Sequence, residues 1–148
     1  MIHILILCTG NSCRSQMAHG FLEAMIQPDK VKVYSAGLEA HGLNPGAVKT
    51  MEDAGISIAH HSSNVLTDYL HIPFDFVITV CDHASEQCPI FPGQGLRLHH
   101  NFSDPSKAIG NDDEIRKAFE QTREEIRTYM NAFAKTYLPA EVIKPMYQ

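Results

Sequence analysis

The apolar run Ile2-His3-Ile4-Leu5-Ile6-Leu7 ends at Cys8-Thr9-Gly10-Asn11-Ser12-Cys13-Arg14-Ser15, and apolar residues then recur at Met17, Phe21, Leu22 and Met25. A short β-branched and leucine-rich run that stops at a turn reads as a buried strand over residues 2–7. The i, i+4, i+5, i+8 spacing behind it is one buried stripe of a helix that begins near Ser15 and is ended by Pro28. The pattern continues along the chain. Val31–Ala36 is predicted as a second strand closed by Gly37, and Asn44-Pro45 opens a helix that Gly55 closes. Phe74–Val80 is predicted as a third strand, apolar enough to be central, and Leu96–His99 as a weaker fourth. Asn111 caps the last and longest helix, with Asp112, Asp113 and Glu114 at its positive end. Ile115, Phe119, Ile126, Met130, Phe133 and Tyr137 form the packing face of that helix.

Strands alternating with helices imply an α/β fold: a single domain with a four-stranded parallel sheet flanked by helices on both faces. The domain is expected over residues 1–137, with a tail at 138–148 that carries no motif. Ligands of such sheets bind beyond the carboxyl ends of the strands. Three suggestive segments fall there: Cys8–Ser15, Cys81–Cys88 and Asn101–Pro105.

Composition excludes other classes. The chain has 148 residues, with 12 Lys and Arg against 17 Asp and Glu, a formal charge of −5, and it is 44% hydrophobic. No apolar run approaches the roughly 20 residues that span a bilayer, and a net acid lacks the basic footprint of a nucleic-acid binder. The first residues lack the positive region of a secretion signal, so a cytoplasmic monomer is expected. There, cysteines serve as metal ligands, nucleophiles or redox groups rather than structural disulfides. The four are Cys8, Cys13, Cys81 and Cys88, and none forms a C-x-x-C pair. The nine histidines are scattered, with His60-His61 and His99-His100 adjacent in sequence. No metal or cofactor is expected.

Cys8–Ser15 has the composition of an oxyanion cradle. A tight loop between strand and helix turns successive backbone N–H groups inward, from Thr9 through Arg14, and the helix aims its positive end at the same point. Gly10 permits the necessary φ values and Asn11 tolerates left-handed geometry. Arg14 adds a planar, permanently charged fork. The field that binds an anion also stabilises a thiolate at Cys8, and comparable sites bring thiol pKa values from about 8.5 to roughly 3.5–7.5. Ser15 is placed to donate a hydrogen bond to that sulfur when it leaves.

This octet resembles the phosphate-binding loop of the low-molecular-weight protein tyrosine phosphatase superfamily. Within it, Ser15-Gln16-Met17-Ala18, Tyr34-Ser35-Ala36-Gly37 and Asn44-Pro45 are similar to the thioredoxin-coupled arsenate reductases, to about Tyr137. The resemblance implies a phosphatase-like fold and an Asp-Pro general acid, matched by Asp104-Pro105, where Ser-Asp-Pro is otherwise ordinary turn chemistry. It also separates two chemistries. A phosphatase needs one nucleophilic cysteine, because water resolves its intermediate. A reductase must deliver two electrons, which the resemblance assigns to Cys8 with Cys81, followed by transfer of the disulfide to Cys81–Cys88 and re-reduction by thioredoxin, with glutaredoxin as the alternative donor. Otherwise Cys81 and Cys88 are simply buried thiols. Cys13 has no step. The alternative activity is a low-molecular-weight tyrosine phosphatase using Cys8, Arg14 and Asp104, and weak phosphatase activity is expected beside the reductase.

Seven helical residues would separate Cys81 from Cys88 by about 10.5 Å, beyond the roughly 7 Å limit for a disulfide. Segment 82–89 is therefore expected to be helical or compact when reduced and to rearrange on oxidation. One departure from the family stands out. Many of these reductases hold potassium with carboxylates near the loop, where this chain has His19 and Asn64 beside Asn11 and Ser62. Imidazole serves a hard cation poorly.

Overall fold

The structure, a computed structural model, describes residues 1–83 and 86–148. Strands β1 (Ile2–Cys8), β2 (Val31–Gly37), β3 (Phe76–Thr79) and β4 (Leu96–His99) form one sheet in the order β2-β1-β3-β4. Every neighbouring pair is parallel, with Cys8 opposite Gly37 and Leu7 opposite Thr79. β1 lies inside the sheet, which is why Ile4, Leu5, Ile6 and Leu7 are all fully buried. β3 is also interior, as its apolar run implied, but its ladder is shorter than the apolar run 74–80. β4 is a largely exposed edge.

Three α-helices follow the expected segments: α1 (Arg14–Met25), α2 (Pro45–Asp53) and α3 (Asp112–Tyr137). The Asn44 side chain accepts from Gly46 and Ala47 N–H groups, and Asn111 forms a reciprocal capping box with Glu114. The two faces of the sheet are covered unequally. Ile4, Ile6 and Cys8 point into a core shared with Met17, Leu22, Met51, Phe119, Ile126 and Met130, so α1, α2 and α3 all lie on one face. Leu5, Leu7 and Val77 point the other way. They are covered by Phe74, Phe91 and a short 3-10 helix, Leu66–Tyr69. Among the described residues, the helical cover on that second face is thus one 3-10 turn. Period-two burial along β1 requires a cover on both sides, but not an α-helix on each.

Residues 138–148 pack on the domain. Leu138, Val142 and Ile143 are buried, Ile143 bridges Ile26, and Gln27 N donates to Val142 O.

The end of β2 is built around Gly37. A methyl group there would lie 2.5 Å from Thr9 O, 2.7 Å from Glu39 O and 2.8 Å from Asn11 N, all of them backbone atoms that no rotamer change can move. Gly37→Ala is expected to cost about 1–3 kcal/mol, the range for overpacking, and to lower the melting temperature by several degrees. An unchanged melting curve would mean that this loop does not bear on β2.

Candidate active site

The last residue of β1 and the first of α1 frame the loop Thr9–Cys13. Its shape comes from Asn11, the one non-glycine residue with positive φ among those described, at 45°. Gly10 does not adopt left-handed geometry; a Cβ there would fall 2.5 Å from the exposed His41 ring, which would have to turn aside. Asn11 is fully buried, its Oδ1 accepting from Asn64 N at 2.8 Å and its Nδ2 donating to Ser15 Oγ at 2.9 Å. The segment after β2 braces the loop from outside, with Glu39 N donating to Thr9 O, His41 N to Gly10 O and Asn44 N to Ser12 O. α1 differs from α2 and α3 in having no side-chain cap at its N-terminus, which leaves its first N–H groups for an anion.

Cys8, Thr9, Gly10, Ser12, Cys13 and Arg14 line a cavity of about 230 Å³, with Asp104 and Glu86 opposite them. Asn11 and Ser15 lie beneath it, fully buried. Ser15 accepts from Asn11, so its own proton remains available to donate.

Three thiols follow one another from the cavity outward, Cys8 lining it, Cys81 behind it and Cys88 in the neighbouring groove. Cys8 Sγ, Cys81 Sγ and a Glu86 carboxylate oxygen lie within 4.8 Å of one another. The Cys81 thiol bonds to Cys8, which holds the Cys8 pKa below its ordinary value; burial opposes this, and the Arg14 charge and the Thr9 N–H reinforce it. The same contact, with burial, raises the Cys81 pKa strongly, and the Cys81 thiol also donates to Leu7 O at 4.0 Å. Cys81 also touches Cys88, whose own pKa burial raises. Cys88 is partly buried and lines a neighbouring groove of about 490 Å³ with His83, Pro89 and His99. Cys13 is buried, and burial pushes its thiol far up, so it is inert beside Cys8. The expected compactness of 82–89 falls in part on residues 84 and 85, which lie outside those described. Among the rest, Glu86 N donates to Asp82 O at 3.0 Å, and no helix is present.

Arg14 is 3% exposed and held on several sides. Nη1 donates to Phe102 O at 3.0 Å, Nη2 donates to both oxygens of Glu86 at 2.7 and 3.0 Å, and Asp104 Oδ2 lies 3.5 Å from Nη2. Burial alone would disfavour the guanidinium charge; the Cys8 thiolate and the two carboxylates outweigh it. Arg14 Nε is buried with no hydrogen-bond partner among the described residues. A buried donor of this kind calls for a ligand, and a tetrahedral oxyanion would engage Nε and Nη2 together. Asp104 accepts from Ser106 N and Ser106 Oγ through Oδ1, leaving Oδ2 turned toward Arg14.

Sequence reasoning missed Glu86. Its carboxylate takes the hydrogen bonds from Arg14 that an oxyanion would take, and Thr9 Oγ1 adds another at 3.1 Å. The one available signal was an acid two residues before Cys88 in a segment already assigned to the site.

The family model of the low molecular weight phosphotyrosine protein phosphatases matches residues 3–144. An arsenate reductase of Bacillus licheniformis is 48% identical over 134 residues, covering 90% of this chain and 95% of that protein. Among solved structures, an arsenate reductase in the phosphate binding state superposes with a TM-score of 0.74 at 29% identity, covering 91% of this chain and 98% of the other. A thioredoxin-dependent arsenate reductase of Corynebacterium glutamicum superposes with a TM-score of 0.61 at 26% identity, covering 92% of this chain and 63% of the other.

Proposed function

The chain belongs to the low molecular weight phosphotyrosine protein phosphatase family, and within it we propose that it reduces arsenate to arsenite. The observation that favours reduction over hydrolysis is the row of thiols, with Cys81 in contact with both Cys8 and Cys88. Hydrolysis has no use for the second and third sulfurs.

In the proposed sequence the Cys8 thiolate attacks arsenic, and one oxygen leaves as water with a proton from Asp104. Arg14 and the loop N–H groups hold the remaining oxygens. Adduct formation removes the negative charge from Cys8. The hydrogen bond to Cys8, burial and the Cys8 charge together hold the Cys81 pKa up, so losing the Cys8 charge makes the second nucleophile easier to ionise once the first has reacted. Cys81 then attacks Cys8 Sγ. The sulfur–arsenic bond breaks, its electron pair reduces arsenic(V) to arsenic(III), and a Cys8–Cys81 disulfide remains. Cys88 attacks Cys81, freeing Cys8 and leaving Cys81–Cys88.

An external dithiol protein must reset the pair. Thioredoxin is the proposed donor, supported by the thioredoxin-dependent relative and by the exposure of Cys88 in its groove. A coupled assay against glutaredoxin separates the two donors. No helix among the described residues is long and apolar enough to cross a membrane. We place the reaction in the cytoplasm and assign it to a monomer.

Arsenate added to the reduced protein without a donor is expected to lower the free thiols from four to two, counted with a thiol reagent after gel filtration. Cys81→Ser should keep its three. A wild type that keeps all four while hydrolysing an aryl phosphate would instead be a phosphatase using Cys8, Arg14 and Asp104.

A further inference from the structure

We propose that His19, Glu23 and His61 form a binding site for one divalent cation of the zinc class, outside the substrate cavity and independent of the reaction assigned above. His19 and Glu23 lie four residues apart on α1, and His61 comes from the loop after α2. One donor atom from each lies within 4.8 Å of the other two. His19 Nε2 is 3.4 Å from Glu23 Oε2, and His61 Nε2 is 3.3 Å from Glu23 Oε1. A tetrahedral ion with bonds of about 2.0–2.1 Å has ligand–ligand edges of about 3.3–3.4 Å, so each contact has the length of such an edge, although the two are made to different oxygens of Glu23, of which a tetrahedral ion would take one. The imidazoles stack at 4.2 Å and present the same side to the carboxylate.

The hydrogen bonds behind the rings strengthen the case. Gln16 Nε2 donates to Asn11 O at 3.1 Å and to Ser62 O at 3.0 Å. Both are carbonyls, which only accept, so the amide orientation is fixed. Gln16 Oε1 therefore faces His61 Nδ1 at 2.9 Å, and that nitrogen must carry a proton. In the neutral ring, Nε2 then presents a lone pair to a Glu23 oxygen. Two acceptors at 3.3 Å require something positive between them: a proton or a metal ion. His19 Nδ1 is likewise engaged, 2.8 Å from Ser35 Oγ. Ligating imidazoles are oriented by such a bond on the far nitrogen.

His60 Nε2 lies 3.6 Å from Glu23 Oε1, which puts a fourth ligand in reach. The adjacent pair His60-His61 serves one carboxylate because it sits in a turn rather than on a helix. Two imidazoles and one carboxylate suit zinc, cobalt or nickel and serve potassium poorly. A cation here would tie α1 to the loop whose Ser63 and Asn64 hold Asn11 in its left-handed conformation.

Two other clusters would compete for zinc through thiols: Cys8 with Cys81 and Glu86, and Cys88 with His83 and His99. The test therefore uses the full chain with Cys8, Cys81 and Cys88 changed to serine. Equilibrium dialysis against micromolar zinc, at slightly alkaline pH, is expected to load one equivalent, and excess potassium should not displace it. Adding Glu23→Gln should weaken binding by more than the roughly 10–100-fold that loss of a supporting hydrogen-bond partner costs. His61→Asn gives a second reading should Glu23→Gln fail to fold. Absence of stoichiometric zinc in the serine background overturns the proposal, as does zinc retained by both variants. In either case a proton bridges His61 and Glu23.

Discussion

Cys8→Ser is expected to abolish arsenate reduction, lowering kcat/KM by about 10⁴–10⁶-fold, the scale of removing the nucleophile from a covalent mechanism. Serine is nearly isosteric at the buried end of β1, so the fold should survive and circular dichroism should match wild type. What is lost is the ionised sulfur. The Cys81 hydrogen bond, the Arg14 charge and the Thr9 N–H favour the thiolate enough to overcome burial, whereas a serine hydroxyl stays protonated in the same field. The sign of the pH dependence follows. Because the Cys8 pKa lies below 9.0, the reactive form persists as pH falls through the ordinary thiol range, and activity drops only below the depressed value. The alkylation rate of Cys8 against pH reads this directly. Cys81→Ala removes the largest stabilising contact, so its profile should move to higher pH. Turnover by Cys8→Ser would remove the basis of the site.

The features legible in the sequence are those written by local chemistry. β1 is announced by its apolar run, the cradle by a loop pinned between that strand and a helix, and α3 by Asn111 and Glu114 at capping-box spacing. The unread features depend on which distant segments meet. Glu86 reaches Arg14 across 72 positions from a loop, where no period signals direction. Phe74 and Phe91 cover the second sheet face from irregular segments, so nothing in their spacing distinguishes that cover from a helix. The roles of Gly10 and Asn11 in the cradle were separable only in three dimensions, since either can adopt positive φ and only Asn11 does. Gly10 yields space to His41, a residue 31 positions away.

Arg14→Lys is expected to lower kcat/KM for arsenate by about 10²–10³-fold, the cost of losing an aligned donor from an oxyanion site. The lysine keeps one positive charge against Glu86 and Asp104, so stability should change less than activity. It cannot supply the planar pair Nε and Nη2, nor can it bond Phe102 O at the same time. Glu86→Gln should act in the opposite direction on binding. Arsenate must displace the Glu86 carboxylate from Arg14 Nη2, and neutralising that competitor should lower KM by roughly tenfold, the ~1.4 kcal/mol scale of a charge-assisted hydrogen bond. The two variants divide the contributions when phosphate binding is measured by calorimetry beside kinetics. Weaker phosphate binding in Arg14→Lys and tighter binding in Glu86→Gln identify Glu86 as a carboxylate that occupies the oxyanion position until substrate arrives. Weaker binding in both would mean that Glu86 instead orients the guanidinium for substrate. The short contacts of Nη2 alone with both Glu86 oxygens at 2.7 and 3.0 Å, together with a buried Nε that has no partner among the described residues, favour the first outcome: of the pair Nε and Nη2, one is bound to Glu86 while the other remains unsatisfied.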